Sequence, residues 1–242
     1  MSNLSYTGSE LELFEKAENW KAYYRNLIKD YLGQEVLEVG AGIGATTRML
    51  CSRKQTRWLC LEPDPAMADR LKSLIDTHEL PSNSQVKIGV VADLQPQEMF
   101  DTIIYIDVLE HIDNDREELE TSCTHLKPGG FLVVLSPAHQ SLYTPFDEAI
   151  GHHRRYNKQS LSAVIPASLE RIELKYLDSV GAIASLGNRF VLKSNLPSAR
   201  QLAVWDKLMI PLSRVVDPLL GYRAGKSIIG VWRKGIPPGI AV

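Results

Sequence analysis

No stretch of this chain approaches the roughly 18 consecutive apolar residues a membrane-spanning helix needs, and the N-terminus lacks the basic segment and apolar run of an export signal. Cysteine is scarce. Cys51, Cys60 and Cys123 show no C-x-x-C and no paired spacing, which argues against a disulfide framework or thiolate zinc site and leaves buried free thiols as the reading. Charge of either sign is nearly balanced, at −2 net, so no general attraction to nucleic acid is expected. Repeats and low-complexity tracts are absent as well. What remains is 242 residues with 44% hydrophobic content, enough for one large core, and the expectation is one domain located in the cytoplasm.

The charge is unevenly placed. From Ser185 to Ser227 the chain carries seven cations (Arg189, Lys193, Arg200, Lys207, Arg214, Arg223, Lys226) against Asp206 and Asp217, +5 locally, which leaves −7 elsewhere.

Periodicity organises the chain. Leu13, Ala17, Trp20, Tyr24, Leu27, Ile28 and Tyr31 recur at helical spacing and predict an amphipathic helix in residues 1–33, which would pack on the sheet or cover a site. Apolar runs at Val36–Val39, Arg57–Leu61, Val86–Val91, Thr102–Ile106 and Phe131–Leu135 predict strands covered on both faces, and further strands are expected at Ile172–Leu177 and Ile228–Trp232. Helical patterns alternate with them. Asp64-Pro65 supplies a cap and a first-turn proline, Asp113 to Asp115 can cap the helix bearing Leu119, Cys123 and Leu126, and Lys127-Pro128-Gly129-Gly130 should stop that helix. The pattern predicts an α/β fold with a doubly wound, mostly parallel seven-stranded sheet, a core over 34–138 and an acceptor loop over 139–160. Between the last two strands a helical insertion over 185–227 should place Leu202, Trp205, Met209 and Leu212 on one face, with Pro211 starting or kinking a turn.

The most informative segment is Glu35-Val-Leu-Glu-Val-Gly-Ala-Gly-Ile-Gly, a strand joined to a helix from Ala45 through glycines at 40, 42 and 44. Such glycines adopt angles closed to other residues and leave room for a ligand against the main chain, and the helix start favours an anionic group. Alone the loop also satisfies the dinucleotide pattern G-x-G-x-x-A, which keeps a nicotinamide-dependent oxidoreductase as a rival. In a parallel sheet the ligand lies beyond the carboxyl ends of the strands. Those ends carry Glu38 and the glycines, Glu62-Pro63-Asp64, Asp93-Leu94 and Asp107-Val-Leu-Glu110-His111.

With Leu126-Lys-Pro-Gly-Gly opening the fifth strand, this set resembles the class I S-adenosylmethionine-dependent methyltransferases over Glu35 to Ala138. The resemblance implies S-adenosyl-L-methionine as cofactor. It further implies that Gly40, Ala41, Gly42 and Gly44 wrap its methionine part, Glu38 orients the ammonium group, Glu62 with Pro63 takes the ribose hydroxyls, Asp93 accepts from the adenine amine and Leu94 covers the ring.

Asp107-x-x-Glu110-His111 admits three readings. Main-chain atoms near Asp107 hold the cofactor while His111 is a general base; or Asp107, Glu110 and His111 chelate a cation such as Mg2+, since the motif is similar to the E-x-x-E-H of magnesium-dependent O-methyltransferases; or the histidine only packs. The metal-free readings are the expectation. The loop Ser141–Tyr156 is read as the acceptor site, Tyr143, Asp147, His152 and Tyr156 aligning a hydroxyl or sugar and Arg154 and Arg155 holding an anion. Alternatively the arginines pair with Asp147 and Glu148. The expected function is methyl transfer to a hydroxyl or amine of a small molecule, sugar-bearing or lipid-linked, the second rival being a protein that binds the cofactor without turnover. The basic insertion reads as a substrate-covering cap or dimer surface, or as a membrane-surface contact with Trp205 and Leu219-Leu220 among the cations.

Overall fold

A computed structural model describes residues 9–188 and 198–237. Seven strands, β1 (Glu35–Val39), β2 (Arg57–Glu62), β3 (Ser84–Ile88), β4 (Phe100–Ile106), β5 (Leu126–Pro137), β6 (Leu169–Leu177) and β7 (Ser227–Lys234), form one sheet in the order β3-β2-β1-β4-β5-β7-β6. The pairs from β3 to β5 are parallel, and β7 alone runs against its neighbours β5 and β6. Order reverses at β1 and β4, where a doubly wound sheet opens a crevice at its carboxyl edge.

Alternate residues of the apolar runs serve two cores. Leu37, Leu59, Ile103 and Leu132 pack with α5 (Asp115–Thr124) and α7 (Lys158–Val164). Val36, Trp58, Ile104 and Val133 pack with α2 (Glu18–Ile28), α4 (Pro65–Asp76) and the helices before β7. All three cysteines are buried free thiols. Asp64 caps α4 through the N–H groups of Ala66 and Met67 with Pro65 at the first turn, whereas α5 is capped by Asn114.

Local chemistry moved several boundaries. The N-terminal helix is two helices, α1 (Ser9–Glu15) and α2, because Lys21 Nζ donates to the carbonyls of Phe14 at 3.1 Å and Glu15 at 2.6 Å and ends the first. β3 stops at Ile88, since Gly89 at φ +143° turns the chain into a short 3-10 segment over Val91–Asp93. Lys127–Gly130 is not a helix stop but lies inside β5, where the register shifts; a Cβ on Gly130 would stand 2.8 Å from the Asp101 carbonyl.

The insertion forms a helical cap: α8 (Ser179–Asn188), then α9 (Ala199–Val204), a π-turn over Trp205–Met209 and α10 (Ile210–Leu219). Arg189 and Lys193 lie outside the described residues. α3 (Ala45–Leu50) and α6 (Pro145–Ala149) complete the set. The π-turn adds a residue to one helical turn and changes the phase. Leu202 and Trp205 stay buried, but Leu212 is turned out and Ile210, Ser213 and Asp217 are turned in.

Buried aspartates clip the cap to the rest. Asp206 accepts from the backbone N–H of Asn19 at 3.3 Å and Trp20 at 2.9 Å, capping α2 from outside it. Asp217 accepts from Tyr23 Oη at 2.8 Å and from the N–H groups of Asp178 and Ser179 at 2.7 and 3.0 Å, capping α8. Asp178 takes Trp205 Nε1 at 2.6 Å and Ser213 Oγ at 2.9 Å. Asp217→Ala strands three buried donors and is expected to cost about 2–4 kcal/mol in urea unfolding, against under about 0.5 kcal/mol for the exposed Lys207→Ala; equal midpoints would contradict this.

Candidate functional site

The crevice predicted by strand order is a cavity of about 730 Å3 over the carboxyl ends of β1 and β4. Gly40, Gly42 and Gly44 stand at φ +65°, +55° and +82°, and a Cβ on Gly40 would press to 2.7 Å from Val108, so the turn needs its glycines. Gly40 to Ile43 form one wall. Phe14, Trp20 and Tyr24 from α1 and α2, and Leu202, Trp205 and Met209 from the cap, form the roof.

Asp107, Glu110 and His111 reach the cavity from the end of β4. Asp107 sits at φ +53°, a left-handed angle held by its N–H on the Leu135 carbonyl at 2.8 Å, with its exposed side chain lining the cavity. Glu110 is fully buried. Its Oε2 accepts from Ser136 Oγ at 2.9 Å, while Oε1 has no hydrogen-bond partner, and burial, reinforced by the Asp107 charge, raises its affinity for a proton.

The loop after β5 brings His152 against this pair. Its ring stands edge-on to His111 with centroids 4.5 Å apart, and Nε2 is 3.8 Å from Glu110 Oε1. Asp147 sets the orientation of that ring. Fully buried, Asp147 accepts from Thr144 N and Oγ1, His152 Nδ1 at 2.9 Å, and Arg155 through a two-pronged contact at 2.8 and 2.9 Å; these donors outweigh burial and hold its carboxyl well below the ordinary range. An anion at Nδ1 assigns the proton there and leaves the Nε2 lone pair facing Glu110. Burial, with His152 nearby, lowers His111 to about 4, so both its nitrogens stay uncharged as a pair near neutral pH. One ligand atom each from Glu110, His111 and His152 lie within 4.8 Å of one another, an arrangement suited to a cation.

The sequence model of the family described as "Methyltransferase domain" matches residues 37–132. The chain is 25% identical over 122 residues to the ubiquinone biosynthesis O-methyltransferase of Rickettsia typhi, covering 48% of this chain and 45% of that protein. It thus spans less than half the length of that curated relative. A putative sarcosine dimethylglycine methyltransferase from Galdieria sulphuraria superimposes with a TM-score of 0.60 at 18% identity, over 91% of this chain and 86% of that one. The N-methyltransferase NodS of Bradyrhizobium japonicum WM9, in complex with S-adenosyl-L-homocysteine, does so with 0.57 at 15% identity over 91% and 87%. Residues 37–132 thus match a methyltransferase domain, and the fold of the chain is the one these methyltransferase structures share.

Within this fold the expected cofactor residues fall into two groups. Gly40, Ala41, Gly42 and Asp107 line the cavity. Glu38, Gly44, Glu62, Pro63, Asp93 and Leu94 are not among its lining residues. Glu38 lies beneath the turn, its Oε2 accepting from Thr47 Oγ1 and Trp58 Nε1, both at 2.7 Å. Glu62 touches the turn directly, taking Gly42 N–H at 2.7 Å on Oε2 and Asp64 N–H at 2.9 Å on Oε1. Pro63 and Asp93 are exposed, Asp93 accepting from Val90 N–H at 2.9 Å, and Leu94 is part of the core.

The acceptor-loop residues divide as well. Tyr143, His152 and Arg155 line the cavity, with Tyr143 Oη donating to the His152 carbonyl at 2.6 Å. Arg154 faces away from it, paired with Asp115 at 2.7 Å, and Arg155 is spent on Asp147; neither holds out a free fork for an anion. Tyr156 is buried against Asp115 at 2.6 Å. Sequence reading placed Lys226 in the basic insertion. It turns inward to the cavity, 4.4 Å over the Trp205 ring.

Burial raises Glu38 from 4.5 to about 7, overcoming the donors on its Oε2. The folded protein therefore holds a proton that the unfolded chain releases near 4.5, and stability falls as pH rises from there to about 7. Glu38→Gln should flatten that slope, removing a loss of as much as about 3 kcal/mol in thermal or urea unfolding at pH 8 relative to pH 4.5. Parallel profiles for the two proteins would show that Glu38 titrates normally.

Proposed function

We propose that the chain methylates a hydroxyl of a small acceptor, using S-adenosylmethionine and a divalent cation held by Glu110, His111 and His152. Glu110 carries the reading. A carboxylate oxygen buried without a donor is unfavourable by about 1–3 kcal/mol unless a proton or cation completes it, and here it faces the lone pair of His152 beside His111. The relative from Rickettsia typhi, named as an O-methyltransferase, supports the same acceptor atom. Two imidazoles and one carboxylate suit a borderline ion such as Zn2+ or Mn2+ better than Mg2+, which prefers oxygen.

S-adenosylmethionine supplies an electrophilic sulfonium methyl, and the cation lowers the pKa of an acceptor hydroxyl bound to it. The chain supplies alignment. Gly40 to Gly42 admit the methionine part against the backbone, and Asp107 offers its carboxylate to an ammonium group. Glu62 has a second lone pair on each oxygen for a diol once the turn adjusts. Asp147, itself locked by Arg155, keeps His152 in the tautomer that presents Nε2. Neutral His111 serves better as a ligand than as a base.

Calorimetry should show S-adenosylhomocysteine binding to the wild type, no NADH binding, and at least a tenfold weaker affinity in Glu62→Ala. No binding of S-adenosylhomocysteine would refute the cofactor assignment for this chain. Titration of Mn2+ into chelator-stripped protein should reveal one site, lost in Glu110→Gln and His152→Ala with S-adenosylhomocysteine affinity retained. A stripped wild type that binds no ion removes the cation and leaves methyl transfer standing.

A further inference from the structure

An outer side of the cap, running away from the cavity rim, is open and apolar. Val204, Leu208, Leu212, Val215 and Leu219 are 43%, 59%, 50%, 64% and 81% exposed, spaced three or four residues apart so that they form one stripe along α9, the π-turn and α10. Ile183, on the α8 helix that packs against α10, is also 69% exposed. Leucine and valine at such exposure, contiguous over about four turns of helix, mark a contact surface rather than scattered surface apolar residues.

The exposed charges of this segment are of one sign. Arg200, Lys207 and Arg214, seven residues apart, follow the stripe along one flank, and Arg223 lies just past its end; all four are exposed. The two acids of the segment, Asp206 and Asp217, are both buried, consumed in capping α2 and α8. From Ser198 to Ala224 no exposed residue is acidic, although the whole chain carries −2. No helix among the described residues is long and apolar enough to cross a bilayer.

We infer that this face docks on an anionic lipid surface, its apolar stripe lying at the boundary between headgroups and acyl chains and its cations among the phosphates. Charge selects the occupant. A second copy joined by two-fold symmetry would set Lys207 and Arg214 against a like-charged face with no carboxylate to offset them, whereas anionic headgroups complement them and the bilayer takes up the leucines. Arg200, Gln201 and Val204 are at once on this face and at the rim of the cavity. Docking therefore brings the cavity mouth to the lipid surface. Combined with the function proposed above, on which this one step rests, it makes an amphiphilic acceptor, entering from the bilayer with its hydroxyl foremost, the substrate class.

Flotation of the full chain with vesicles of phosphatidylcholine, with and without phosphatidylglycerol, tests the docking without any assay of activity. Wild type should float with the anionic vesicles alone and be released by salt. The pair Lys207→Glu and Arg214→Glu should weaken binding at least tenfold, each basic side chain near such a surface being worth roughly fivefold. The pair Leu208→Asp and Val215→Asp should do likewise. All these residues are exposed and outside the cavity lining, so melting temperature and S-adenosylhomocysteine affinity should match wild type, which separates a failure here from a failure of the proposed function. Absence of flotation with anionic vesicles, or variants that float as wild type does, overturns the inference. A wild-type dimer in light scattering that Leu208→Asp with Val215→Asp breaks would give the face to a second copy and overturn it equally.

Discussion

The cap stays in place because its acids point inward. Asp206 and Asp217 each lie on a helix of the insertion yet accept backbone N–H groups at the start of another helix, α2 for one and α8 for the other. Such N–H groups have no partner within their own helix and favour a negative group. A buried carboxylate without them would be prohibitively costly. Asp178, at φ +64° where β6 ends, completes the arrangement by holding Trp205 and Ser213. Two results follow from one interaction: the roof of the cavity is fixed over the glycine turn, and the outer face is left with cations and leucines.

Glu110 and Asp147 show how differently two fully buried carboxylates can be treated. Asp147 is saturated by Thr144, His152 and Arg155, so its charge is held and its position is rigid. Glu110 receives Ser136 on one oxygen and nothing on the other. The saturated carboxylate orients; the unsaturated one is available. Because His152 bridges them, with Nδ1 on Asp147 and Nε2 toward Glu110, the rigidity of the first is passed to the geometry of the second.

What the sequence made legible follows from the range of the forces involved. Apolar runs locate strands and glycines locate the turn because both signals are local, and strand ends converge by topology alone. Asp64-Pro65 capped α4 for the same reason. The misread face of the cap traces to the π-turn at Trp205–Met209, which a fixed 3.6-residue period cannot show, and it reversed Leu212 from inward to outward. His152 was legible as a loop residue near an acceptor, not as a neighbour of Glu110, since the pairing spans 42 residues and is made by the fold. The alternative reading of the arginines as partners of loop acids holds for Arg155 and Asp147, whereas the partner of Arg154, Asp115, lies 39 residues away and is brought to it by the fold.

The two halves of the cavity are therefore built by different means. The wall at the strand ends is backbone: the turn from Gly40 to Gly42 is pinned by Gly40 N–H on the Leu61 carbonyl at 2.8 Å and by Gly42 N–H on Glu62. The facing wall is side chain, supplied by the loop from Ser141 to Arg155 and the cap, and held by single carboxylates, Asp147 in the loop and Asp217 in the cap. Backbone walls tolerate little change without losing the fold, while side-chain walls can be rewritten one residue at a time. Differences between proteins of this fold should accordingly be sought between β5 and α7 and in the cap, and not at the strand ends.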